Sequence, residues 1–171
     1  MKHFLKEKKI WQLEMSNPYK GEYLMTTMNS NENPEKICFL FPQTFMNKSG
    51  LSVSAVAKFY KILPEDILIL HDEIEYPFGK IWTKKWGSAA WHNGLRSIID
   101  FLWTDQFPRI RIGVGKSERI PVADYVLQNF TTEERNQFEN GIFEQIDELI
   151  EDFLQGMLKF PEPNQPKKKH H

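Results

Sequence analysis

Four consecutive aliphatic residues, Ile67-Leu68-Ile69-Leu70, pass without a turn into His71-Asp72-Glu73. An apolar run this short and unbroken reads as a strand covered on both faces, because a half-exposed strand alternates instead. Such a strand needs one apolar layer above it and another below, and helices interleaved with strands supply them. Polar residues at its carboxyl end stand where open α/β sheets place their sites. The rest of the chain fits this plan. Residues 49–60 set Val53, Val56, Ala57 and Tyr60 at helical spacing, and 94–103 reads as a second helix. Residues 79–85 read as a strand, and Arg109-Ile110-Arg111-Ile112-Gly113-Val114 alternates, with both arginines on one face. The first 41 residues read as two or three short strands (9–15, 22–27 and 37–41), with turn chemistry at 29–34. Thr131 and Glu134 form a capping box. The stripe Phe138, Ile142, Ile146, Leu149, Phe153 and Met157 behind it predicts one long amphipathic helix.

A chain of 171 residues suits a single core. One domain is expected over residues 1–160, with a Pro- and Lys-rich tail, 161–171, expected to be disordered. Cys38 is the only cysteine, which excludes an internal disulfide framework and a cysteine-based zinc cluster. No metal-ligand cluster or nucleotide-type phosphate loop appears, so no metal or cofactor is expected. No apolar run approaches the ~18 residues that span a bilayer, and Met-Lys-His-Phe does not open a signal peptide. A soluble, cytoplasmic, monomeric protein without membrane partners is the expectation.

The formal net charge is only −1, so any contact with nucleic acid must come from a local patch. Between Lys80 and Arg119 there are eight cations against three acids, and from Asp124 to Asp152 nine acids against one base. That asymmetry is compatible with a phosphate-binding middle segment and a C-terminal helix turned away from it, and equally with a basic loop region beside a solvated acidic helix.

Four polar clusters punctuate the elements. Pro42-Gln43-Thr44-Phe45-Met46-Asn47-Lys48-Ser49-Gly50 leaves a strand and opens a helix; His71-Asp72 ends the buried strand; Gly87-Ser88-Ala89-Ala90-Trp91-His92-Asn93-Gly94 is a small-residue loop before a helix; Lys84 and Arg111 lie on neighbouring strands. Singly, each has an ordinary reading. Asn47 reads as a cap, Asp72 as a turn residue, the loop as a generic turn, and the two cations as solvated surface charge.

As an ordered set the clusters mean more. Together with Phe-Pro-Arg-Ile-Arg-Ile-Gly-Val-Gly at 107–115 and Val-Ala-Asp-Tyr-Val-Leu at 122–127, the chain resembles the bacterial-type peptidyl-tRNA hydrolase family from about Phe39 to Phe130. The resemblance implies a three-layer α/β fold around a mixed, mostly parallel twisted sheet. It also implies a carboxylic-ester hydrolase that cleaves the bond between peptide and tRNA and so recycles tRNA. Asn47, beside Phe45, would bind the peptide near the scissile ester. Asn93 would bind water or the developing oxyanion and gate the cleft. Asp72 would orient the catalytic histidine. Lys84 and Arg111 would grip the tRNA 5′-phosphate, the lysine as a point charge and the arginine as a planar fork.

One part of the pattern has no counterpart. The family opens with an apolar strand and Gly-Asn-Pro-Gly-x-x-Tyr-x-x-Thr-Arg-His-Asn, whose histidine is catalytic. Neither is found here, and Asn17-Pro18-Tyr19 only echoes it. The fold is therefore expected to lack its first strand, leaving neighbouring strand edges bare, and hydrolysis is expected to be weak or absent. His92 is the candidate substitute base, against a reading in which it only shapes the cleft. His71 is expected to be partly buried and paired, and His3 is a poor substitute. Ala90 and Trp91 stand where the family has glycines, so a positive φ there would be strained. Trp91, Trp82 and Trp86 are each open to a stacking role or a packing one. The alternative function is a non-enzymatic RNA-binding protein of the same fold, like the splicing cofactors.

Overall fold

The computed structural model describes residues 1–8, 13–16, 18–29 and 34–161. Residues 9–12 of the expected strand 9–15, residues 30–33 of the expected turn 29–34 and most of the expected tail, 162–171, lie outside the described residues. The elements are helix α1 (Lys2–Glu7), strands β1 (Glu14–Ser16), β2 (Gly21–Asn29) and β3 (Pro34–Pro42), helix α2 (Ser49–Tyr60), strands β4 (Ile69–Glu73) and β5 (Ile81–Lys84), helix α3 (Asn93–Leu102), strand β6 (Arg109–Gly113), and helices α4 (Val122–Tyr125), α5 (Thr132–Gln137) and α6 (Phe143–Leu154).

The strands form two three-stranded sheets, ordered β1-β2-β3 and β4-β6-β5. The α/β architecture of mixed sheet flanked by helices is as expected. The pairing is not mostly parallel, however: only β4 and β6 run parallel, while β5–β6, β1–β2 and β2–β3 are antiparallel. Short connections suit the antiparallel β1–β2 and β2–β3 pairs, whereas β5 and β6 are antiparallel across a long connection that contains α3.

Two apolar clusters sit on opposite faces of the strands. One gathers Phe4 and Leu5 of α1, Phe39, Ile110 and the α6 residues Ile146 and Ile150; the other gathers Val53 of α2, Leu95 and Ile98 of α3, and Phe107. Alternation along the strands feeds both. Phe39 and Leu70 belong to the first cluster, and Leu40 and Ile69 to the second.

Where α2 crosses α3, Gly50 is required. A Cβ there would collide with the Ser97 carbonyl, and Ser97 Oγ accepts the Gly50 N–H at 3.0 Å. No helix among the described residues is long and apolar enough to cross a membrane.

Three expectations change. The chain opens on a helix, α1, rather than a strand; its Phe4 and Leu5 are buried, His3 pairs with Asp147 at 2.7 Å, and Lys8 pairs with Glu151. A helix of six residues is too short for its periodicity to show in the sequence, and the charge complement lies on α6, far along the chain. The long C-terminal helix is broken. The capping box of Thr131 and Glu134 is present, but Asn140 and Gly141 leave helical geometry, with φ of 137° at Gly141, and Met157 falls beyond α6. Glycine alone enters that region without strain, and the break lets the apolar stripe resume in register at Ile142. Lastly, Ile67–Leu70 is only half-buried, and the paired strand starts at Ile69 and carries His71, Asp72 and Glu73 within it. Residues 67–72 line an open cavity along the free edge of β4.

Candidate active site

The carboxyl end of β4 delivers Asp72, and the loop ahead of α3 delivers His92. Their side chains meet, with His92 Nε2 3.0 Å from Asp72 Oδ1. His92 is also the N-cap of α3, where its Nδ1 accepts the Leu95 N–H at 3.1 Å. That cap settles the tautomer. Nδ1 carries the lone pair, so Nε2 carries the proton and donates it to Asp72. The same bond holds the Asp72 carboxyl below its usual range.

His71, the preceding residue of the strand, stacks edge-on against His92 with ring centroids 5.0 Å apart. Its Nδ1 donates to the Asp72 carbonyl at 2.7 Å, and its buried Nε2 has no partner. Burial pushes the imidazole down to about 4. The expected backbone pairing of His71 is thus observed, and the ring is neutral at ordinary pH.

Asp72, His92 and Gly94 line one end of a large cavity with Gln43, Thr44 and Met46. Asn47 and Asn93 are exposed and stand at its rim rather than in its wall. The two are brought near each other by their neighbours: Met46 Sδ lies 2.5 Å from the position a Gly94 Cβ would take, so the turn Met46–Lys48 abuts the first turn of α3. Phe45 is 80% exposed beside Asn47.

The loop 87–92 is held from below by a residue that sequence reasoning did not single out. Arg109 is 1% exposed, donates to the Ser88 carbonyl at 2.9 Å and to the Gly87 carbonyl, and lies over the Phe107 ring. The alternation of β6 placed it on a face with Arg111, but only the fold shows that this face is buried at one end. Arg109→Met should lower stability by about 2–3 kcal/mol, because two loop carbonyls lose charged donors. Urea unfolding checks the stability, and faster amide exchange in residues 87–92 should accompany the loss.

Ala90 does sit at positive φ, 49°. Relief of that strain should make Ala90→Gly more stable by about 0.5–1 kcal/mol, measured by urea unfolding. Trp91 is 81% exposed and Trp86 50%, so neither fills the core. Trp82 is partly exposed beneath the Lys80 ammonium.

The two candidate phosphate ligands differ in availability. Arg111 is engaged: Nη2 and Nε donate to Glu73 Oε2 at 2.6 and 3.1 Å, and Nη1 donates to the Tyr76 hydroxyl at 3.0 Å. Lys84 has no acidic partner within ion-pair distance among the described residues. Burial, then repulsion from Arg111 and Arg109, lowers its pKa. A cation crowded by cations is stabilised by an incoming anion. Among the described residues no cluster of three or more His, Cys, Asp or Glu could hold a metal ion.

The site is thus a carboxylate-oriented imidazole at the carboxyl end of a parallel strand of an α/β protein, beside a capped small-residue loop and a cationic strip. The chain belongs to the peptidyl-tRNA hydrolase family: the sequence pattern described as "Peptidyl-tRNA hydrolase" matches residues 4–170. A Lactobacillus gasseri peptidyl-tRNA hydrolase is 42% identical over 124 residues, covering 72% of this chain and 66% of that protein, so the matched stretch spans just under two thirds of that relative. One from Staphylococcus aureus is 38% identical over 153 residues, covering 89% of this chain and 77% of its own. Among solved structures, the Acinetobacter baumannii peptidyl-tRNA hydrolase is 31% identical with a TM-score of 0.75, covering 90% of this chain and 78% of its own. A peptidyl-tRNA hydrolase in complex with n-propanol, also 31% identical, gives 0.78 over 92% and 77%. The resemblance noted from about Phe39 therefore begins earlier, within α1.

Proposed function

We propose that this chain engages peptidyl-tRNA at the cavity end formed by Asp72, His92 and the rim residues Asn47 and Asn93, as a member of the ester-hydrolase family whose site it carries. The observation that supports this most directly is the Asp72–His92 pair set between two amide-bearing turns. In this reading the Asn47 amide holds the peptide backbone beside Phe45. The Asn93 amide, which donates and accepts without adding charge, binds water or the oxyanion that forms as the ester carbonyl becomes tetrahedral. Asp72 fixes the ring of His92, and His92 in turn fixes the start of α3 and with it Asn93. The acceptor stem lies along Lys84 and Arg111, with Trp86 and Trp91 exposed for base stacking.

The experiment is conversion of peptidyl-tRNA to free tRNA and peptide by an excess of the chain, against a control without protein. Release above the control supports the hydrolase reading. Binding without any release supports the second reading, an RNA-binding protein of the same fold. That second reading has its own observation: both ring nitrogens of His92 are already committed.

Both readings share a phosphate contact. Lys84→Ala should weaken tRNA binding and reduce the slope of log affinity against log salt by about 1. Arg111→Ala should change the slope less, since Glu73 already neutralises that guanidinium. Titrations at several salt concentrations measure both, and equal slopes for Lys84→Ala and the unmodified chain would remove Lys84 from the phosphate site.

A further inference from the structure

The site proposed above leaves Lys80 and Trp82 unused, although both stand on the sheet face that carries Lys84. Residues opposite one another in a ladder share a face, and so do alternate residues along a strand. Trp82 is opposite Arg111 and Lys84 opposite Arg109, so the tryptophan and the lysine lie on one face. Lys80, just ahead of β5, continues that alternation, and its carbonyl accepts the Gly113 N–H at 2.7 Å. Gly113 is what lets residues 76–80 fold flat across the end of β6. A Cβ there would collide with the Pro77 carbonyl and crowd Tyr76. Both Tyr76 and Lys80 are thereby brought against Trp82.

The result is a ladder of rings and cations. The Arg111 guanidinium lies 4.6 Å from the Tyr76 ring centroid, the Tyr76 and Trp82 centroids are 6.0 Å apart, and Lys80 Nζ sits 5.1 Å from the Trp82 ring. Its two ends differ in charge. Glu73 neutralises Arg111. Lys80 is exposed and has no carboxylate within ion-pair distance among the described residues. An ammonium held on an indole face is kept in place without its charge being cancelled. Trp82 itself is 38% exposed, so part of its ring is open to solvent. Free cation, aromatic ring and free cation thus alternate along one strand face, an arrangement that suits a sugar–phosphate backbone.

We propose that Lys80 and Trp82 form a second backbone grip on the RNA whose terminal phosphate meets Lys84, Lys80 taking an internal phosphodiester and Trp82 packing against the nucleotide between. This rests on the reading that RNA lies along this face, and not on hydrolysis. Lys80 and Lys84 are four residues apart, about 13 Å along the strand. Their ammonium groups rest on different supports: that of Lys80 on Trp82, and that of Lys84 2.8 Å from the position a Gly87 Cβ would take. Each lysine therefore takes its own phosphate. The grip at Lys80 is indifferent to base sequence and to what the 5′ end carries, while Lys84 alone reads the end. Trp82 is a positioning residue for Lys80 as well as a contact.

The test titrates an acceptor-stem RNA hairpin, bearing either a 5′-phosphate or a 5′-hydroxyl, by fluorescence anisotropy at several salt concentrations. The unmodified chain is compared with Lys80→Gln, Lys84→Ala, Trp82→Ala, Trp82→Phe and the double variant Lys80→Gln/Trp82→Ala. Lys80→Gln should weaken binding of both hairpins and lower the salt slope by about 1 in each case. Lys84→Ala should act on the phosphorylated hairpin alone. Trp82→Ala should weaken both hairpins at least about fivefold, Trp82→Phe should restore most of that loss, and the double variant should be little worse than Trp82→Ala. An unchanged slope in Lys80→Gln would overturn the proposal. A Lys80→Gln effect confined to the phosphorylated hairpin would also do so, by putting both lysines on the terminal phosphate. Unweakened binding by Trp82→Ala would reduce that ring to packing and overturn the grip as described. If the unmodified chain binds neither hairpin, the RNA-face reading falls and the grip falls with it. If only Lys84→Ala is silent, Lys84 alone is removed and the grip stands.

Discussion

Single-turnover cleavage of peptidyl-tRNA by this chain should run at least about a hundredfold slower than cleavage by the Staphylococcus aureus relative, and His92→Asn should leave the residual rate within a few-fold. A general base contributes ~10²–10⁴ to such a reaction and needs an accessible lone pair near the attacking water. His92 offers none. Its Nδ1 lone pair caps α3, and its Nε2 proton is held by Asp72. Turning the ring to free a nitrogen would forfeit the cap, about 1 kcal/mol, together with the Asp72 bond. His71 keeps a lone pair on Nε2, but that atom is buried and burial has made the ring a weak base. His3 is held by Asp147. Asparagine is chosen at position 92 because it caps a helix as well as histidine does, which separates catalysis from folding. A rate close to that of the relative, abolished in His92→Asn, would show that the ring turns in the bound complex and acts as the base.

Stability should fall by roughly 3 kcal/mol as the pH drops from about 6.5 to 4, and His71→Asn should flatten that part of the profile. The sign follows from the direction in which burial moves the group. The folded-state pKa of His71 is depressed from 6.5 to about 4, so below 6.5 the unfolded chain binds the proton first and protonation favours unfolding. The stabilisation is complete above 6.5 and is lost progressively down to 4, at about 1.36 kcal/mol for each pH unit between the two values. Asp72 adds to the loss only lower down, through its own ordinary carboxylate range, because its pKa is also depressed, by the His92 bond. Asparagine can still donate to the Asp72 carbonyl but cannot titrate. Urea unfolding at half-unit pH steps gives the profile, and a flat curve for the unmodified chain between 6.5 and 4 would mean that His71 is solvated after all.

Local patterns were readable where one element's own residues decide its form. Helix α2 occupies residues 49–60 as its spacing predicts, the Thr131–Glu134 box caps α5, and β6 follows its alternation. The ordered polar clusters pointed to the family, and the pairing of Asp72 with an imidazole was legible as a role. What failed in the sequence depended on partners remote along the chain. Helix α1 is recognisable only beside α6, whose Asp147 and Glu151 receive its His3 and Lys8. Arg109 and Arg111 share a strand face and look alike, yet one is sealed under the loop and the other is tied to Glu73.

The order of residues was enough for most element types, for the family and for which side chains carry polar chemistry, because periodicity, capping and turn preferences are interactions within a few residues. It took the folded chain to reveal that His92 spends both nitrogens and that Lys84 rather than Arg111 is the uncommitted cation. Those outcomes rest on which groups meet across the fold, and a hydrogen bond taken by one partner is no longer available to another.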